Sequence, residues 1–152
     1  MQSDYRKDRR VEFSETDLAG IIHYSSYFQF MEETEHEFLR SLGLSVQLCE
    51  GDITYGFPRL STRCEYSRPL QFEDVVAVEL RVARIGRSSI TYQFLFTSKG
   101  EEVARGEGSV ACVVRDAEGV MRASPIPASL SSQLIAHAGE PLTFGPPSSK
   151  KR

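Results

Sequence analysis

The chain has 152 residues, 40% of them hydrophobic and 26% charged, with a formal net charge of −3 and a pI near 5.7. A chain of this length builds one domain that buries about two thirds of the surface its unfolded form would expose. Its net negative charge excludes nucleic-acid binding driven by overall charge, and no stretch of it reads as a membrane span.

The opening MQSDYRKDRR is charged with no apolar run behind it, so it does not read as a secretory signal. Val11 and Phe13 alternate with Glu12 and Ser14 as in a half-buried strand, and Ala19-Gly20 then lets the chain turn. A long helical pattern follows. Tyr27, Met31, Thr34, Phe38 and Leu42 fall on one stripe, with Glu33, His36, Glu37 and Arg40 opposite. Ser25 or Ser26 is the expected N-cap, and Gly43 stands where a C′ glycine stops a helix. Ser45 to Gly56 reads as a connection. Leu60, Thr62, Cys64 and Tyr66 then alternate with polar residues, and Arg68-Pro69 interrupts the run, so that strand is bent or lies at an edge. Three long strands come next. Val76 to Val82 turns at Gly86-Arg87 into Ile90 to Phe96, and Lys99-Gly100 leads into Val103 to Val114, whose Gly106 and Gly108 suggest a bend or bulge. Short hairpins make the three antiparallel, which with the preceding strand-helix unit gives an α+β fold, the helix lying on one sheet face. Residues 1–138 form the expected single domain. Pro127 to Ala138 reads as a short surface helix ended by Gly139, and 139–152, rich in Pro, Gly, Ser and Lys, as a mobile tail.

Cys49, Cys64 and Cys112 are odd in number and widely spaced, which fits reduced structural thiols in a cytoplasm and gives no metal spacing. No G-x-S-x-G elbow marks a serine nucleophile.

Glu15-Thr16-Asp17, Gly20-Ile21-Ile22, Tyr27 and the helix through Glu32 resemble the signature segment of the 4-hydroxybenzoyl-CoA thioesterase family of hotdog-fold proteins, which includes the YbgC-like acyl-CoA thioesterases. The likeness extends to about Pro127. It implies a five-stranded antiparallel sheet wrapped around one long helix, a homodimer or homotetramer, and an active site for acyl-CoA at the dimer interface. By the same resemblance, Asp17 is the catalytic carboxylate and the Tyr24 N–H polarises the thioester carbonyl. No metal or cofactor is implied beyond the coenzyme A of the substrate.

Residue chemistry runs alongside. Thioester hydrolysis needs a group that activates water or attacks the carbonyl, and donors where the oxyanion develops. Asp17 suits the first role and the free N–H groups at the helix start suit the second, although an Asp before a helix commonly just caps a turn. Gly20 and Tyr27 belong to the signature, Phe57 and Pro58 are candidates for the acyl end, and Arg87 with Ser88 in the Gly86–Ser89 turn for the nucleotide end, with Arg84 and Lys99 also near turns. Glu32 and Glu35 are the fallback acids. Glu35 lies beside the apolar stripe and calls for an arginine partner. His36 reads as solvated, whereas His23 near Asp17 leaves open a hydratase-type acid-histidine dyad, against which the Asn-Pro of the hydratase motif D-x-N-P-x-H is missing. A non-catalytic acyl-CoA-binding module is the third reading.

Overall fold

The computed structural model describes residues 1–145. Strand β1 (Asp4–Arg10) leads into a 3-10 turn (Phe13–Glu15) and helix α1 (Tyr24–Ser41). There follow β2 (Leu48–Glu50), β3 (Ile53–Gly56), β4 (Arg59–Tyr66), β5 (Val75–Ile85), β6 (Ser89–Ser98), β7 (Glu101–Ala111), β8 (Val113–Arg115), β9 (Met121–Ala123) and a single turn, α2 (Ala128–Ser131). The main sheet has the order β1-β5-β6-β7-β4, antiparallel throughout, and α1 packs on one face of it. This is the expected α+β hotdog arrangement. A second sheet, β2-β3-β8-β9, was not legible: its strands are three or four residues long, too short for alternation to show.

The charged N-terminus hides a strand. Six of the seven residues of β1 are charged, but Tyr5, Lys7 and Arg9 alternate as its half-buried face. Their polar ends meet helix residues opposite the apolar stripe: Lys7 Nζ bonds Glu37, and Arg9 reaches Glu33 at 3.0 Å while its guanidinium lies 4.6 Å over the Phe30 ring. The stems cover apolar surface while the heads pair, so a strand forms with almost no apolar residue in it. The segment from Val11, in contrast, ends in the 3-10 turn rather than in a strand. The Glu15 carboxylate accepts the Glu12 N–H at 2.7 Å and two Arg9 bonds, which curls the backbone and leaves Phe13 exposed against Phe72.

The predicted helical stripe is buried and is widened by Phe30 and Leu39. Phe30 and Phe38 are fully buried, each contributing about 2 kcal/mol of transfer free energy. The N-cap is His23, not Ser25 or Ser26, because pairing between Thr16 and Ile22 keeps the chain extended up to that point. Gly43, at φ +76°, ends the helix with its N–H on the Arg40 carbonyl and the Leu44 N–H on the Leu39 carbonyl, a Schellman pattern. Lys99 and Gly100 both have positive φ, as a two-residue hairpin requires.

Gly106 and Gly108 do not bend β7: its pairing with β4 and β6 is continuous there. They make room instead. A Cβ on Gly106 would collide with the Met31 sulfur, and one on Gly108 would lie 3.3 Å from Arg59 Nη1. The last long strand is shorter than expected because Cys112 leaves the ladder, giving its N–H to the Ser88 carbonyl and accepting from Ser124 N–H. The helix expected over Pro127 to Ala138 keeps one turn. Gln133 to Ile135 then runs beside Gln2, with Gln2 N–H on the Gln133 carbonyl and Ile135 N–H on the Gln2 carbonyl, which buries Leu134. Of the segment expected as a tail, Leu142 to Gly145 lies on the outer face of the main sheet, and 146–152 fall outside the described residues.

Candidate active site

Asp17 opens a tight turn. Its carbonyl accepts the Gly20 N–H at 3.0 Å, its N–H goes to the Ile21 carbonyl at 2.8 Å, and its Oδ1 accepts the Ala19 N–H at 2.8 Å. Gly20 sits at φ +80°, a conformation a Cβ would strain. Past the turn, Ile22 N–H bonds the Leu70 carbonyl and His23 N–H the Glu15 carbonyl, so the helix start is fixed against the segment preceding β5. The capping role of Asp17 is therefore real. It occupies one carboxylate oxygen.

A cleft of about 470 Å³ opens beside this turn, lined by Asp17, Ile21, Ile22, Tyr24, Tyr27 and Tyr66, with Ser67, Arg68 and Pro69 at the β4 end. Tyr27 is buried, edge-on to Tyr66 at 4.9 Å and to Phe96 at 5.4 Å. Tyr66 donates its hydroxyl to the Tyr24 carbonyl at 3.3 Å, tying β4 to the first turn of α1. Burial pushes the Tyr27 hydroxyl up to about 12, and raises Tyr66 through burial and then the neighbouring Cys64. Neither phenol ionises near neutral pH. Asp17 is the only carboxylate among the lining residues and Arg68 the only cation.

The helix start supplies a donor. Ser25 N–H is taken by His23 Nδ1 at 3.2 Å and Ser26 N–H by the His23 carbonyl, whereas Tyr24 N–H has no protein acceptor among the described residues. An unused N–H at the positive end of an 18-residue helix favours a developing anion. His23 is occupied otherwise. Its Nδ1 faces Ser25 Oγ at 2.7 Å, its ring lies 4.4 Å from that of Tyr24, and it makes no bond to Asp17. The acid-histidine dyad of a hydratase is not formed.

The remaining candidates lie elsewhere in the chain. Glu32 is exposed and lines a separate cleft of about 340 Å³ with Phe28, Met31, Arg59, Thr62, Phe94 and Gly108. Glu35 is buried and has its arginine, Arg59 Nη1 at 2.8 Å; burial raises its carboxyl and Arg59 opposes that. Phe57 and Pro58 are half-buried before β4 and line neither of these clefts. Arg87 and Ser88 form the β5–β6 hairpin, their carbonyls accepting from Ile126 and Cys112. That hairpin is at the opposite end of β5, a strand of 11 residues, from the Asp17 cleft, so roughly 30 Å separates them. Lys99, at the other hairpin, does not share a site with Arg87. Within one chain the structure thus brings together Asp17, Gly20, Tyr24 and Tyr27, and leaves Glu32, Phe57, Pro58, Arg87 and Ser88 apart. Tyr66 and Arg68 were missed as site residues; the only local sign was the Arg-Pro break after β4, and their proximity to Asp17 comes from pairing across some fifty positions.

Comparison with known proteins gives the family. The sequence profile of the thioesterase-like superfamily matches residues 11–134, and the chain belongs to that family. A relative from Aquifex aeolicus (strain VF5) is 35% identical over 108 residues, 71% of this chain and 83% of that protein. A 1,4-dihydroxy-2-naphthoyl-CoA hydrolase of Prochlorococcus marinus (strain NATL1A) is 30% identical over 103 residues, 63% of this chain and 69% of the other. Among solved structures, a gentisyl-coenzyme A thioesterase superposes with a TM-score of 0.71 at 26% identity, covering 84% of this chain and 99% of that one. The protein is a thioester hydrolase, as the signature segment implied.

Proposed function

We propose that the chain hydrolyses acyl-CoA thioesters in the Asp17 cleft, with Asp17 as general base or nucleophile and the Tyr24 N–H as oxyanion donor, and without a metal or redox cofactor. The observation that carries this reading is the unpaired Tyr24 N–H beside the single carboxylate of the cleft. The CoA esters named for its relatives support the substrate class. As base, Asp17 takes a proton from water while the water oxygen bonds the thioester carbon. The carbonyl electrons move to oxygen, where the Tyr24 N–H meets them, and collapse breaks the carbon–sulfur bond, with CoA sulfur recovering the proton. As nucleophile, Asp17 bonds the thioester carbon, the carbon–sulfur bond breaks to release CoA thiolate, and water opens the resulting anhydride to the free acid and the Asp17 carboxylate, its proton going to the thiolate.

Asp17→Asn separates catalysis from capping, because the amide oxygen still accepts the Ala19 N–H. The variant should melt near the parent while kcat falls by roughly 10²-fold or more. Retained kcat would overturn the mechanism. Rapid-quench mass spectrometry of the parent assigns the role: an acyl adduct on Asp17 marks a nucleophile, and its absence a base.

The working unit in this reading is a dimer joined along β4. Both edges of the main sheet are open among the described residues, but β1 is protected by six charges in seven residues, while β4 carries three in eight and exposes Leu60 and Tyr66. A two-fold antiparallel pairing of β4 with its copy sets the Phe57–Arg59 end of one chain beside the Tyr66 end of the other. Glu32, Phe57 and Pro58 would then flank the second chain's Asp17 cleft, with the Arg87–Ser88 hairpin at the same end. Three free thiols, Cys49, Cys64 and Cys112, support a cytoplasmic location. No described helix is long and apolar enough to cross a membrane.

A further inference from the structure

The outer face of the main sheet carries a segment that the core does not require. On β6, Ile90, Tyr92, Phe94 and Phe96 point inward and are buried, while Thr91, Gln93, Leu95 and Thr97 point outward. Three of those four are half-buried, as a solvated face should be, but Gln93 is only 5% exposed. Its cover is the chain's own C-terminal segment. Gln93 Oε1 accepts the Leu142 N–H at 2.8 Å and Gln93 Nε2 donates to the Leu142 carbonyl at 3.0 Å, so one amide side chain reads both main-chain groups of one residue. The same Nε2 donates to Glu107 at 2.8 Å, which fixes the amide. Further along, Arg105 Nη1 donates to the Thr143 carbonyl at 2.7 Å, and Arg63 lies 4.2 Å over the Phe144 ring with Nη2 at 3.4 Å from the Gly145 carbonyl. The segment therefore crosses β6, β7 and β4 in turn, held by one side chain from each.

We propose that this segment is a strap that closes the outer sheet face to a second copy of the molecule. The uncovered face would suit a copy of itself. It carries small Thr91, Thr97 and Ser109, and its cations and acids alternate closely: Arg81 with Glu79, Arg105 with Glu102, Arg63 with Glu65. A two-fold stacking can therefore meet each charge with its opposite. The strap occupies the middle of that surface and keeps a neighbour from lying flat against it. Because the face lies away from α1 and the Asp17 cleft, strap and catalysis are separate.

The test compares the full chain with one ending at Gly139, and with the full-length double variant Gln93→Ala/Arg105→Ala, by sedimentation velocity. Loss of the strap should double the sedimenting mass relative to the parent, whatever the parent's own state, with kcat unchanged, and a synthetic peptide of residues 140–145 should reverse the doubling. A folded truncated chain with the parent's mass overturns the proposal. Should the truncated chain fail to fold, amide exchange on the full-length molecules decides: slow exchange at Leu142 in the parent, lost in the double variant together with a doubled mass, supports the strap. Equal exchange in both, or an unchanged mass, overturns it. A failed Asp17 mechanism would show in kcat alone and leave these masses untouched.

Discussion

Glu35 and Glu37 sit two residues apart on α1 and titrate in opposite senses. Burial is the larger influence on Glu35 and raises its carboxyl despite Arg59, whereas the hydrogen bond from Lys7 is the larger influence on Glu37 and lowers it. A raised acid favours the folded state at pH below the ordinary glutamate range, and that contribution is lost as pH rises through the folded value. A lowered acid contributes above the ordinary range and loses it as pH falls. Glu35→Gln should therefore remove a loss of stability that the parent suffers as pH rises from the ordinary glutamate range upward. Glu37→Gln should remove a gain that the parent shows on rising into that range. Urea unfolding across pH 3 to 8 checks both, and parallel curves for parent and Glu35→Gln would contradict the first. Arg59→Ala leaves the buried carboxylate alone, which should cost about 3–5 kcal/mol, less if Glu35 takes up a proton.

At the scale of elements, the approach of α1 to β7 depends on a missing side chain. Met31 fills the space over Gly106, so Gly106→Ala forces the helix or the methionine to move and should cost about 1–3 kcal/mol, as overpacking does. Gly108→Ala meets Arg59 Nη1 at 3.3 Å, a much looser contact than the collision with the Met31 sulfur at Gly106, and should cost less. A double-mutant cycle is the sharper measurement. Met31→Ala alone opens a cavity, but in the Gly106→Ala background it should be much less harmful, giving a coupling of about 1 kcal/mol or more. Additive losses would mean that Gly106 serves the strand and not the helix.

For the whole molecule, the proposed pairing along β4 can be tested at that edge. Leu60→Lys places like charges near one another across a two-fold axis through β4 without touching the Asp17 cleft. In a concentration series it should weaken association and lower activity at dilution, with recovery at high protein concentration. A lysine at an exposed position of the already charged β1 edge, Asp8→Lys, should leave association alone. Unchanged mass and activity in Leu60→Lys would move the interface away from β4.

What the sequence by itself determined is whatever depends on near neighbours. The turn at Gly20, the stripe from Tyr27 to Phe38, the Schellman end at Gly43 and the Lys99-Gly100 hairpin follow from φ preference and period, and with them comes the α+β class, while the pairing of Asp17 with Tyr24 is what the resemblance of the signature segment implies. Tertiary structure decided the rest, because the forces concerned act between distant residues. The charged β1 is a strand only because Glu33 and Glu37 receive its cations, and Gly106 is explained only by Met31. Tyr66 and Arg68 reach Asp17 only because Ile21 and Ile22 pair with Gln71 and Leu70, and the strap holds only because Gln93 offers both ends of an amide to Leu142. None of these partners is within a helical turn or a hairpin of the residue it explains, so no local pattern could have announced them.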